Sequence, residues 1–131
     1  MFLRSKNFPM KVIKTEESYI YKGKLQIDQD YLVEFAVSVS CHDEYPVGQI
    51  IFNRLALLPP NADRLVWLEC LNKLNISMSL YYYFVLDEAG YIFARYVANI
   101  NEDMKEFFDI LSNGGQIMRN ALSIFRQLEQ V

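Results

Sequence analysis

The chain has 131 residues, of which 52% are hydrophobic, 22% charged and 15% aromatic, and its formal net charge is −3. This composition is typical of a folded domain and excludes wholesale disorder, so we expect a single domain over residues 1–131. A nucleic-acid-binding protein needs a basic stripe to displace counterions. Because the sequence has no such stripe, nucleic acid is not an expected partner.

Signals for secretion and membrane insertion are missing. Residues 1–9 have no apolar segment typical of a secretory signal, and no window approaches the roughly eighteen apolar residues of a membrane span. Cys41 and Cys70 lack the spacing of a disulfide framework and are expected to be free thiols. These features predict a cytoplasmic protein that does not associate with a membrane.

The first part of the chain is predicted to form strands, over residues 10–15, 18–26, 31–40 and 47–58. In the third of these, Val33, Phe35 and Val37 alternate with polar residues, which predicts one buried and one solvated face. Lysines in the first two strands, Lys22 among them, are expected to protect an edge of the sheet from aggregation.

A helix is predicted over residues 62–75, with Asn61 as its N-cap. Its leucines recur every three residues, which predicts a broad apolar face towards the core. These leucines are Leu65, Leu68, Leu71 and Leu74.

Two runs rich in aromatic and β-branched residues, within residues 76–98, flank the sequence Asp87-Glu88-Ala89-Gly90. This arrangement predicts a hairpin whose connector uses Gly90 in the left-handed conformation. The first run is apolar on both faces, because Tyr82 and Phe84 alternate with Tyr83 and Val85. Such a strand belongs in the centre of a sheet, or one of its faces is covered by a partner.

A second amphipathic helix is predicted after Asn101, a candidate N-cap, and its apolar stripe continues to the C-terminus. The adjacent Gly114 and Gly115 either break it into two helices or lie within one long helix. We favour one helix with Gly115 closely packed, because the stripe keeps its phase across the glycines. The order β-β-β-β-α-β-β-α predicts an α+β fold, an antiparallel sheet of five to six strands with two helices on one face.

Metal-ligating and nucleophilic side chains come together only in Cys41-His42-Asp43-Glu44. Consecutive residues of an extended segment point in alternating directions, whereas zinc needs three or four convergent ligands. A thiolate nucleophile likewise needs an imidazole aimed at it by a third group. A polar connector between strands is therefore the favoured interpretation, and we expect no catalytic residue, metal or cofactor.

The hairpin carries the expected partner-binding residues, which are Tyr81, Tyr83, Val85, Phe93 and Arg95. Arg95 is the only charged residue of the run 91–98, and it is either a surface arginine stacked on a tyrosine or an anchor for a ligand. The exposed face of the first strand carries Tyr81, Tyr83 and Val85, or alternatively Tyr82 and Phe84. Its expected occupant is a partner protein or a second copy of the chain, forming a homodimer.

A helix ending in Leu71-Asn72-Lys73-Leu74-Asn75, the hairpin over residues 84–96 and an amphipathic C-terminal helix together form a recognisable layout. Over roughly residues 31–128 it resembles the YbjN-like family and the related type III secretion chaperone fold. The resemblance implies a twisted antiparallel sheet held against helices, frequent dimerisation, and binding of extended polypeptide or regulation without catalysis.

The expected function is therefore that of a non-catalytic cytoplasmic protein-binding or regulatory module. One alternative is a small metal-dependent or thiol enzyme centred on Cys41, His42 and Asp43. Another is a small-ligand sensor with a pocket between sheet and helices, lined by tyrosines and Arg95.

Overall fold

The computed structural model describes residues 10–14, 18–28, 31–40, 47–77, 81–99 and 105–129. Within these ranges the order β-β-β-β-α-β-β-α is observed, and the predicted α+β fold is confirmed. The elements are β1 (Met10–Lys14), β2 (Ser18–Asp28), β3 (Tyr31–Ser40), β4 (Val47–Leu57), α1 (Arg64–Ser77), β5 (Tyr83–Leu86), β6 (Tyr91–Asn99) and α2 (Lys105–Glu129).

The strands form a six-stranded sheet in the order β1-β2-β3-β4-β6-β5, and every neighbouring pair is antiparallel. The hairpin of β5 and β6 therefore joins the sheet through β6, which pairs with β4. β5 lies at the edge, so a central position does not explain why this strand is apolar on both faces.

One face of the sheet carries the hydrophobic core. Val37 pairs with Ile50 and Phe52 pairs with Ala94 across neighbouring strands, and all four side chains are fully buried. α1 packs mainly against β5, and α2 crosses β2 and β4. Both helices therefore cover the same face of the sheet.

α2 is one uninterrupted helix through Gly114 and Gly115, which confirms the favoured prediction. The closest approach, however, is at Gly114, where a Cβ atom would lie 2.8 Å from ring atoms of Phe52 and from the hydroxyl of Tyr82. At Gly115 a Cβ atom would lie 3.0 Å from the end of the Leu25 side chain. Gly115 is therefore closely packed, as predicted, but the still closer approach at Gly114 was not predicted, because the stripe has phase and gives no distance to the neighbouring strand.

α1 begins later than predicted, because Asp63 and not Asn61 caps it. The backbone N–H of Leu65 donates to Oδ1 of Asp63 at 3.0 Å. The helix then continues through Ile76, which was predicted to begin the hairpin.

The leucines of α1 do not share one buried face, which corrects another prediction. Leu71 and Leu74 are buried, whereas Leu65 is 62% and Leu68 is 42% exposed. A spacing of three residues turns about 300° around a helix, so four such leucines spread over about half of its circumference. Trp67, which also faces the core, takes the place expected for Leu68.

β4 contains a β-bulge that was not predicted. Its register against β6 shifts between Phe52 and Ala56, and Arg54 within it has a φ of 52°. Three residues of β4 therefore lie opposite one residue of β6, and the alternation is interrupted, so that Phe52 and Leu55 are both buried although they differ in parity.

The connector of the β5–β6 hairpin is confirmed, with Gly90 at a φ of 92°. Oδ1 of Asp87 accepts a hydrogen bond from the backbone N–H of Tyr91 at 2.9 Å and holds the turn closed. Neither of the described helices contains an apolar stretch long enough to cross a membrane.

Candidate functional site

The face of the sheet opposite the helices is the candidate site, and we call it the open face. Its residues alternate along each strand with the buried core residues. They include Ile20, Lys22 and Lys24 of β2, Glu34, Ala36 and Ser38 of β3, Gln49, Ile51 and Asn53 of β4, Phe93, Arg95 and Val97 of β6, and Tyr83 and Val85 of β5.

Four of the five predicted partner-binding residues lie together on the open face. Tyr83 is directly opposite Arg95, and Val85 is directly opposite Phe93. Tyr83 is 40% exposed, and the other three are half-buried among their neighbours. The structure therefore builds one continuous surface from residues that are eight to twelve positions apart across the two strands.

Tyr81 lies apart from these four residues. It precedes β5, and its ring packs edge-on against Tyr96 with 6.1 Å between the ring centroids. Tyr96 belongs to the helix-covered side, where its ring is also 6.0 Å from that of Phe107. Tyr82 and Phe84, the alternative exposed pair, are only 2% and 4% exposed, so that alternative is wrong.

Arg95 lies on the open face one strand in from the β5 edge and is held there by a neutral partner. Its Nε donates a hydrogen bond to Oε1 of Gln49, and its neighbours across the strands are Ile51 and Tyr83. Because an amide carries no charge, this bond orients the guanidinium without neutralising it. The arginine that lies over a tyrosine ring is Arg54, with its Cζ 5.5 Å from the centroid of Tyr91.

One cross-strand row runs over five strands of the open face. It reads Lys22, Ala36, Ile51, Arg95 and Tyr83, each residue directly opposite the next. Because Ala36 is the smallest member, the surface dips beside it. The depression has a volume of about 440 Å³, with Lys22, Lys24, Glu34 and Asn53 among its lining residues. The row thus has one cation at Lys22 and another at Arg95, with the apolar side chains of Ala36 and Ile51 between them.

The free edge of β5 is occupied by a side chain of α1. The backbone N–H of Phe84 donates to Oδ1 of Asn75 at 2.7 Å, and Nδ2 of Asn75 donates to the carbonyl of Phe84 at 3.2 Å. The amide therefore makes the two hydrogen bonds that another strand would make. A partner strand could add here only by displacing Asn75, which leaves the open face as the accessible part of the hairpin.

The titratable groups with shifted pKa values lie on the helix side of the sheet. Burial raises the pKa of Tyr82, whose hydroxyl donates to the carbonyl of Ile110 at 2.8 Å. Burial also raises the pKa of the Cys70 thiol, an effect that Lys73 opposes. Cys70 is a free thiol, as predicted, and its raised pKa disfavours the reactive thiolate.

Among the described residues, no group of three or more His, Cys, Asp or Glu side chains could hold a metal ion. Cys41, His42 and Asp43, on which the alternative enzyme hypothesis rests, lie outside the described residues. The sensor hypothesis placed Arg95 in a pocket between sheet and helices. Arg95 instead lies on the opposite face of the sheet and cannot line such a pocket.

Several residues of the site were not predicted for this role. Gln49 could have been placed on the open face from its alternation with Ile50 and Phe52, but its bond to Arg95 depends on register. Lys22 was interpreted only as edge protection, although β2 is an inner strand. The position of Arg54 depends on the bulge in β4, and no pattern in the sequence predicts that bulge.

Comparison of the sequence with protein-family models gave no match, and comparison with curated proteins gave none either.

Proposed function

We propose that this protein is a non-catalytic protein-binding module and that its partner binds to the open face of the sheet. The observation that carries the proposal is the pairing of Tyr83 with Arg95 and of Val85 with Phe93 on that face. Aromatic residues and arginine are enriched in protein interfaces and contribute much of their binding energy. The arrangement thus combines an apolar surface with an oriented charge.

Packing of the core does not explain why these positions carry aromatic and apolar side chains. The opposite face of the same strands fills the core, and the hairpin is anchored there through Tyr82, Phe84 and Ile92. On a solvated face, β-strands usually carry polar residues. Phe93, Val85 and Ile51 on the open face are the kind of residue that a partner would bury.

The proposal keeps the functional class that the resemblance to YbjN-like and secretion chaperone proteins implies. It also keeps the cytoplasm as the expected location, where a free thiol such as Cys70 remains reduced. A partner protein is the proposed occupant, and a second copy of the chain is the other occupant that experiment can distinguish.

The test compares Tyr83→Glu with Tyr81→Glu. These tyrosines are 40% and 49% exposed and lie two residues apart, but only Tyr83 is on the open face. Partners retained by the immobilised wild-type protein should be lost with Tyr83→Glu and kept with Tyr81→Glu. Sedimentation of the three proteins shows whether a second copy is the occupant, since only Tyr83→Glu would then become monomeric. Equal behaviour of both variants would contradict the proposal.

A further inference from the structure

The charges of the open face differ in sign from those of the whole chain. The face carries Lys22, Lys24 and Arg95 against Glu34, and at its margin Asp87 lines a depression together with Arg54, whereas the whole chain has a net charge of −3. Glu34 is directly opposite Lys24, so these two charges compensate each other. Lys22 and Arg95 remain as the cations of the row between β2 and β5, and Lys11 of β1 is in register with Lys22.

The distance between these cations follows from the strand order. Lys22 is on β2 and Arg95 is on β6, which lies three strands further across the sheet. Neighbouring strands are about 4.8 Å apart, so their backbones are separated by about 14 Å. In an extended polypeptide, side chains at positions i and i+4 point to the same side and are also about 14 Å apart.

The surface between the cations suits a side chain at position i+2. Ala36 and Ile51 lie between Lys22 and Arg95 in the row, and the depression of about 440 Å³ lies beside Ala36. A phenylalanine or leucine at i+2 would bury apolar area there. The spacing of charge, apolar surface and charge therefore matches an extended chain lying across the strands.

We infer that the open face binds an extended acidic segment of a partner polypeptide with the pattern acidic–x–apolar–x–acidic. Its carboxylates pair with Lys22 and Arg95, and its central apolar side chain rests on Ala36 and Ile51. Gln49 acts as a positioning residue, because its hydrogen bond directs the guanidinium of Arg95. The inference rests on the proposed function and specifies the chemistry of the partner.

The inference can be tested with a synthetic nine-residue peptide that has glutamate at its third and seventh positions and phenylalanine at its fifth. The remaining positions are serine and threonine. The peptide is titrated into isotopically labelled full-length protein, and amide shifts are followed by NMR, which detects weak binding and locates it. Control peptides carry lysine in place of glutamate, or carry the glutamates at the fourth and sixth positions.

We expect shifts in β2, β3, β4 and β6 with the first peptide and much weaker shifts with both controls. Lys22→Gln and Arg95→Gln should each weaken binding about threefold to fivefold, and together about tenfold to 25-fold. Arg95→Lys should retain most of the affinity. Lys73→Gln on α1, which removes the same charge away from the sheet, should change nothing. Higher salt should weaken binding because it screens exposed charges.

The inference is overturned if the peptide causes no shifts at millimolar concentration, or if the lysine peptide binds equally well. It is also overturned if the Lys22→Gln, Arg95→Gln double variant binds the peptide unchanged. If any of these occurs while Tyr83→Glu still abolishes partner binding and Tyr81→Glu does not, the open face keeps its proposed function and only the acidic pattern is wrong.

Discussion

The two faces of the sheet are made from the same strands but differ in what covers them. On β6, Ile92 and Ala94 are fully buried under the helices, whereas Phe93 and Arg95 between them are half-buried on the open face. The covered face is closed by side chains from elsewhere in the chain. The open face has a comparable apolar content near the hairpin, but α1 and α2 both lie on the other side.

This difference separates residues that serve folding from residues that are available for binding. Removing a side chain from the covered face leaves a cavity, because the neighbours relax only partly. Removing a side chain from the open face leaves a space that water can fill, so it should cost little stability. Stability and partner binding should therefore respond to different substitutions on the same strands.

The largest expected effect compares two phenylalanines, one from each face. Phe52→Ala should lower the free energy of unfolding by about 3–5 kcal/mol, because the ring is fully buried against Phe35 and Tyr82. Phe93→Ala should lower it by about 1 kcal/mol or less. Urea unfolding measures both. Equal losses would mean that the open face belongs to the folding core.

The second prediction compares the adjacent glycines of α2. Gly114→Ala should destabilise the protein by about 1–3 kcal/mol, because its Cβ would lie 2.8 Å from the Phe52 ring. Gly115→Ala should be neutral or stabilising by up to about 1 kcal/mol, since alanine favours the helix and the Leu25 side chain can move.

A double variant checks the reason for the Gly114 effect. If the contact with the ring causes the loss, Gly114→Ala should cost less in a Phe52→Leu background than in the wild type. If Gly114→Ala lowers the free energy of unfolding equally in both backgrounds, the Phe52 ring is not the cause of the loss.

The third prediction concerns Tyr82, whose hydroxyl bonds to the carbonyl of Ile110. Tyr82→Phe should cost about 0.5–1.5 kcal/mol near neutral pH, and Tyr83→Phe, on the open face, about zero. Thermal unfolding of the two variants beside the wild type measures the difference.

The Tyr82 bond also predicts a dependence on alkaline pH. Because burial raises the pKa of Tyr82, the folded protein keeps this proton at pH values where the unfolded chain has lost it. Tyrosine in an unfolded chain ionises near pH 10, so stability should fall as the pH rises above about 10. Tyr82→Phe should make the fall less steep. An unchanged alkaline slope would contradict the burial of an un-ionised phenol.

Periodicity was enough to predict much of the fold. The alternation in β3, the Gly90 turn and the unbroken stripe of α2 are local patterns, and each is confirmed. The position of β5 at an edge was not predicted, because strand order depends on which strands meet. The bulge at Arg54 and the cap at Asp63 depend on one or two residues and give no periodic signal.

The site could be predicted only in part for the same reason. Alternation placed Phe93 with Arg95, and it separated Tyr83 from the buried Phe84. It also grouped Tyr81 with Tyr83, which is wrong because Tyr81 precedes the strand and turns towards Tyr96. The row from Lys22 to Arg95 joins three strand pairings, and no local pattern contains that information.

The most direct test of the open face as the partner surface is site-specific photo-crosslinking in living cells. A benzophenone amino acid replaces Tyr83 in one protein and Tyr81 in another, and the crosslinked products are identified by mass. We expect a defined product from position 83, with a partner protein or a second copy, and none from position 81. Products of equal yield from both positions, or from position 81 alone, would contradict the account.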